Sequence, residues 1–336
     1  METIVFAGLG AMGWPMASNL REGGFEVLPY DVDAGRVEAF YRDGDVSLNE
    51  DALTHTVRRL GEADALLIMV VNADQVRQLL FDQGMAEALK PGACIIQMST
   101  IAPGDAAAIH ADLKALRTDL HYVDAPVSGG VVGAKAGSLT IMSAGEPEAL
   151  AACQRAFEVL GRDLFHAGDR VGQGSAFKAV NQLLCGVHIA VAAEALALAE
   201  KNGLDLEVMV RMLGGSAASS WMINDRGPRM ILPPGEVTSA VDIFCKDLGI
   251  VCEAARQSRA YTPLAQSAYQ SFVASSERGE GRLDDSQVIR TYQLLNGQLL
   301  NGQLLNGQLL NEPSGNERLL NEQDSDVIAQ AGEGDV

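Results

Sequence analysis

Gly8-Leu9-Gly10-Ala11-Met12-Gly13 is the stretch that decides the fold. It follows the apolar run Thr3–Ala7 and opens a helical pattern, and Asp31 closes the next apolar run, Glu26–Tyr30, about 20 residues on. Strand, glycine turn, helix and closing acid together form the fingerprint of a dinucleotide-binding βαβ unit. In such a unit Gly8 makes the tight turn, Gly10 lets a pyrophosphate approach backbone amides, and Gly13 allows helix and sheet to pack. Leu9, Ala11 and Met12 complete the loop, and the helix N-terminus behind it favours phosphate charge. Asp31 accepts hydrogen bonds from the ribose hydroxyls, whereas the extra phosphate of NADP would meet its charge, and Val32 and Asp33 supply no arginine next to it. NAD is therefore expected rather than NADP.

Outward from this loop, short apolar runs alternate with helical patterns, and Ala65–Val71, Ala93–Met98, His121–Ala125 and Leu139–Ala144 read as four further strands. That alternation predicts an α/β fold with a largely parallel, doubly wound sheet. Strand signals fade after His166, and helical patterns follow over about Gly174–Asn202, Leu206–Leu213, Val241–Arg256 and Pro263–Ser275. We expect a Rossmann-type domain over residues 1–165 and an all-α domain over 166–292, joined by a long interdomain helix. That helix is apolar around most of its circumference and needs covering on several sides, more than one chain offers, so a homodimer or homotetramer is expected. From Leu294 the unit Leu-Leu-Asn-Gly-Gln repeats with a period of five, which fits neither helix nor strand. Residues 293–336 are expected to form a disordered tail.

The formal net charge of −19 excludes a nucleic-acid backbone or an anionic membrane surface as main partner, because both require a basic face. Ala179–Ala199 is apolar but interrupted by Asn181, Gln182, His188 and Glu194, which marks a buried helix rather than a membrane span. The five cysteines lack a Cys-x-x-Cys pair and read as reduced core residues. The five histidines are scattered without helical pairing, and no metal is expected. The first strand starts at Thr3 and runs straight into the glycine loop, so we expect no secretory signal and a cytoplasmic protein.

The segment Gly8–Leu20, with Gly24 beyond it, resembles the opening signature of the β-hydroxyacid dehydrogenase family, whose members act on substrates such as 3-hydroxyisobutyrate and tartronate semialdehyde. Asp124-Ala125-Pro126-Val127-Ser128-Gly129-Gly130 resembles the substrate loop of that family, Gly174-x-x-x-Lys178-x-x-Asn181 its catalytic helix, and Phe244-Cys245-Lys246-Asp247-Leu248 its last block. The resemblance implies hydride transfer between NAD and a small anionic hydroxy acid. Alcohol oxidation needs a base for the hydroxyl proton, and a lysine with its pKa tuned towards working pH serves, which is the role implied for Lys178. Asn181 lies on the same helical face and is expected to hold a substrate hydroxyl or orient the lysine. Ser128, Gly129 and Gly130 offer a hydroxyl and small-residue amides for a carboxylate. Thr100, Val71 and Asn72 resemble positions beside the nicotinamide, at the carboxyl ends of parallel strands, and Lys246 resembles a cofactor-contacting lysine.

Further stretches, among them Val70–Ala73, Ser220-Trp221-Met222 and Ala240–Phe244, resemble one group within the family and imply a C4 sugar acid as substrate. That group tends to carry histidine where this chain has Asn181. A module that only bound a dinucleotide would have no need of a proton-transfer lysine, and the joint presence of Lys178, Asn181 and the Ser128 loop weighs against it.

Overall fold

A computed structural model describes residues 1–298. The chain begins β1 (Thr3–Ala7), α1 (Gly13–Glu22), β2 (Glu26–Tyr30), α2 (Ala34–Asp43), α3 (Ala52–Arg58), β3 (Ala65–Ile68), α4 (Ala73–Arg77), α5 (Met85–Ala88) and β4 (Cys94–Gln97). It continues α6 (Pro103–Leu116), β5 (His121–Asp124), β6 (Val127–Ser128), α7 (Gly130–Lys135), β7 (Leu139–Ala144), α8 (Pro147–Leu160) and β8 (Gly161–Gly168). Six helices follow: α9 (Gln173–Lys201), α10 (Leu206–Gly214), α11 (Trp221–Met230), α12 (Val241–Ser258), α13 (Pro263–Ser275) and α14 (Ile289–Leu295).

The sheet order is β2-β1-β3-β4-β5-β7-β6, with β8 pairing β7. The first five strands are parallel, as expected; β7 runs antiparallel to β5 and β6 and parallel to β8. Alternate residues feed two cores: Ile4 and Phe6 join Met16, Leu20, Phe40 and Phe157 on one face, while Val5 and Ala7 join Leu66, Leu80, Ile109 and Tyr122 on the other. A strand buried on both faces has no polar alternation, which is why these runs read as continuous apolar blocks.

Three strands stop short of their expected ends, at Ile68, Gln97 and Asp124, because the chain there turns into the loops of the site. Two strands escaped the sequence reading. β6 has only two residues, and the edge strand β8 is mostly solvent-exposed, so Arg162, Asp163 and His166 interrupt any apolar period. The sheet thus continues to Gly168, past the expected boundary at 165.

In the helical part, Ile189, Ala193 and Leu196 of α9 pack with Phe244, Leu248 and Phe272, the two phenyl rings stacking at 5.2 Å. Gly186 lets α12 come close, since a Cβ there would sit 2.7 Å from Leu248. By length and composition α9 passes as a membrane span, yet 56% of its most apolar window is buried inside the protein. Its opposite side carries Phe177, Leu184, Val191 and Leu198 at 48%, 50%, 53% and 60% exposure. These four residues follow one another at intervals of seven.

The expected end of the folded chain at Tyr292 needs correcting. α14 runs to Leu295, and the first repeat unit docks on the end of α9: Lys201 Nζ donates to the Asn296 carbonyl at 2.6 Å, and the Gln293 and Gln298 side chains donate to Glu200 at 2.7 and 2.9 Å. The later repeats, within the tail expected over 293–336, lie outside the described residues.

Candidate active site

The glycine loop is built as its spacing demands. Gly8 adopts φ +100°, and a Cβ on it would lie 2.2 Å from the Met69 carbonyl oxygen, so a side chain is excluded by both conformation and space. A Cβ on Gly13 would lie 1.8 Å from the Gly8 carbonyl oxygen, whereas at Gly10 nothing stands within 4 Å. The protein is thus filled around Gly8 and Gly13 and open at Gly10, the shape a pyrophosphate needs. Met12 places no side-chain acceptor on the first amides of α1.

Asp31 is buried and braces the loop: its Oδ2 accepts from the Leu9 amide at 2.7 Å and its Oδ1 from the Asp33 amide at 2.9 Å. Arg36, on the first turn of α2, stands 3.8 Å from Asp31 and 3.5 Å from Asp33. No arginine stands directly beside Asp31 in the chain; the helix supplies one five positions on.

A chain of contacts then leads from this loop to Lys178. Met69 and Val70 back onto Gly8, and the Val70 amide donates to Ser99 Oγ at 2.9 Å, fastening the ends of β3 and β4 together. Val71 is half-exposed, and Asn72 caps α4 by accepting from the Gln75 amide at 2.9 Å. The Thr100 carbonyl accepts from Lys246 Nζ at 3.0 Å, a bond from α12 to the sheet domain. Lys246 also pairs with the buried Asp247 at 2.9 Å, and Gln182 of α9 donates to the same carboxylate.

Lys178 is buried on α9, with no side-chain hydrogen bond among the described residues. Burial pushes its pKa below the ordinary lysine value; Asp247 and Cys185 pull it back up, and Lys246 adds to the depression. Asn181 is half-buried one turn on and accepts a weak bond from Cys185 Sγ at 3.8 Å. Ser128 ends β6, and Gly129 and Gly130 turn the chain at φ +133° and +61°, conformations open to glycine. α9 packs against β5, β6 and β7, which sets this turn beside the lysine helix. Gln182 and Asp247 were not singled out from sequence, although a buried acid next to Lys246 in an apolar helix was the available sign.

An open glycine cradle between a strand and a helix, in a sheet domain followed by a helical domain that carries a buried lysine, is the arrangement of a dinucleotide-dependent oxidoreductase. The family model described as the NAD binding domain of 6-phosphogluconate dehydrogenase matches residues 3–168, and the one described as NAD-binding of NADP-dependent 3-hydroxyisobutyrate dehydrogenase matches residues 172–292. The chain belongs to the 3-hydroxyisobutyrate dehydrogenase-like family of β-hydroxyacid dehydrogenases, and both of its domains match NAD-binding models. It is 38% identical to the L-threonate dehydrogenase of Escherichia coli K12 over 288 residues, 85% of this chain and 93% of that protein. It is 34% identical to the NAD-dependent L-serine dehydrogenase of Pseudomonas aeruginosa, covering 88% of this chain and 100% of the relative. A crystal structure described as 3-hydroxyisobutyrate dehydrogenase from Salmonella typhimurium superposes with a TM-score of 0.78 at 38% identity, over 86% of this chain and 99% of that one.

Proposed function

We propose that the chain oxidises a small hydroxy acid of the sugar-acid class, L-threonate, to its 2-oxo product, 2-oxo-tetronate. The observation that carries the reaction type is Lys178: a buried amine of lowered pKa, with no side-chain hydrogen bond among the described residues, one helical turn from Asn181. Lys178 takes the hydroxyl proton, Asn181 holds the hydroxyl, and Ser128, Gly129 and Gly130 hold the carboxylate. NAD, when bound, accepts the hydride. Gly8 to Gly13 cradle its pyrophosphate, Asp31 its adenosine ribose, and Val71, Asn72, Thr100 and Lys246 line the nicotinamide side. The choice of L-threonate rests on the name of the Escherichia coli relative. A second reading, 3-hydroxyisobutyrate or tartronate semialdehyde as substrate with the same mechanism, is favoured by Asn181, the residue of the wider family at that position.

NAD and NADP reduction by the purified protein across a panel of hydroxy acids tests the assignment. L-Threonate with NAD should give the highest kcat/KM; a higher value for 3-hydroxyisobutyrate would move the chain to the second reading, and no turnover with any member would refute both.

We infer the division into domains near residues 165–172, a cytoplasmic location supported by five free cysteines, and self-association through α9. Phe177, Leu184, Val191 and Leu198 form a heptad seam, with Val180 beside it, over 21 residues or about 32 Å. A matching repeat is available on the same helix of a second copy, which makes a two-fold contact self-complementary. A Leu184→Glu/Val191→Glu variant should fall to monomer mass by light scattering at concentrations where the parent is a dimer or tetramer. An unchanged mass would exclude the seam.

A further inference from the structure

We propose that Asp124 is a positioning residue for the reaction, its carboxylate fixing the start of α9 against the end of β5 and so setting where Lys178 stands relative to the Ser128 loop. The proposal rests on the reading of Lys178 as the proton-transfer group.

Asp124 is wholly buried at the carboxyl end of β5. Its Oδ2 accepts from the amides of Gly172 and Ser175 at 2.9 and 2.8 Å, and its Oδ1 from the Ser175 hydroxyl at 2.7 Å. Both carboxylate oxygens are thus committed to the first turn of α9, across about fifty residues of chain. Burial raises the pKa of this carboxyl, and the bonds from Ser175 and Gly172 oppose that rise. A buried carboxylate is costly and is tolerated where all its donors are supplied, as they are here.

The surrounding backbone leaves no slack. A Cβ on Gly174 would lie 2.4 Å from the Asp124 carbonyl oxygen and 2.5 Å from that of Met142. Gly172, at φ +97°, would place a Cβ 2.8 Å from the Pro103 carbonyl oxygen. The first turn of α9 is therefore seated directly on sheet backbone. Lys178 follows Ser175 by three residues, a rise of about 4.5 Å, so it moves with that turn. In the other direction Asp124 opens the segment that reaches Ser128 four residues later. One side chain thus stands between the amine and the residues proposed to hold the substrate carboxylate, and a displacement of about 1 Å in such a pair costs on the order of 10²-fold in rate.

The test is Asp124→Asn, which keeps size but turns one acceptor into a donor facing amide N–H groups. We expect kcat per folded molecule to drop roughly 10- to 100-fold with NADH affinity, read by fluorescence, within about twofold of the parent. The ascending limb of the pH profile for oxidation should also move to higher pH, because water admitted around Lys178 relieves the burial that lowers its pKa, a lowering that Lys246 of α12 assists and that Asp247 of α12 and Cys185 of α9 oppose. A lower melting temperature with unchanged kcat and unchanged pH profile would overturn the proposal, since that is what a purely structural role gives. If Asp124→Asn does not fold, Ser175→Ala decides: it removes only the hydroxyl bond, and a severalfold loss of kcat is expected, whereas the parent kcat would refute the idea. Lys178→Ala is measured alongside. If it is inactive while Asp124→Asn and Ser175→Ala turn over like the parent, the positioning role alone falls; if Lys178→Ala itself turns over like the parent, the reading on which the proposal rests falls with it.

Discussion

Replacing Lys178 with alanine is expected to lower turnover by roughly 10²–10⁴, the usual worth of a positioned proton-transfer group, while NADH affinity stays near that of the parent. The two effects separate because the glycine cradle is built from β1, α1 and the Met69 backbone, whereas Lys178 belongs to α9. Lys178→Arg should fail as well, since a guanidinium holds its proton at any working pH. The direction of the pH dependence follows from burial. The base form of Lys178 is the neutral amine, and its lowered pKa brings that form in at lower pH than for an exposed lysine. Oxidation should therefore rise with pH through this lowered pKa, reduction should fall through it, and both limbs should vanish in the arginine variant. A folded Lys178→Ala enzyme that oxidises the best substrate at the parent rate would make the lysine structural.

The glycine loop offers an equally large effect and an internal control. Gly13→Ala places a methyl group 1.8 Å from the Gly8 carbonyl oxygen, and the obstacle is backbone, so the loop or α1 must shift. NADH binding should weaken at least 100-fold, an estimate of about 3 kcal/mol from overpacking, with a lower melting temperature. Gly10→Ala meets no protein atom within 4 Å, so the protein without cofactor should melt like the parent. Its methyl group enters the space left for the pyrophosphate, so NADH should still bind more weakly. Isothermal titration and thermal melts of both variants check this. Equal behaviour of the two would mean that the dinucleotide does not approach at Gly10.

The parts legible in the sequence were those with a local period or a local turn. The helices over Gln173–Lys201 and Pro263–Ser275 came within a residue of their expected bounds because an apolar periodicity that long has few alternative readings. α11 did not, since Asn224, Asp225, Gly227 and Pro228 all argue against a helix. It is held instead by Ser220 at its N-terminus and by the paired bonds of Arg226 to the buried Asp285, at 3.0 and 2.9 Å across 59 residues. The site divides the same way. Gly8, Asp31 and Lys178 announce themselves through motif spacing, whereas Asp124, Gln182 and Asp247 matter through partners about fifty residues away or more, which no window on the sequence brings together.

The bracing of the glycine loop by Asp31 has a bearing on redesign. An engineer wishing to run this enzyme on NADP would first think to delete that carboxylate, because in the proposed role its charge would meet the extra phosphate. Deletion also strips the acceptor from the Leu9 amide and frees Arg36 from its nearest buried counter-charge. On the proposed role of Asp31, cofactor choice and loop shape share one side chain, so a switch in preference has to be sought by changing residues 31, 33 and 36 as a set, with a replacement that still accepts the Leu9 N–H.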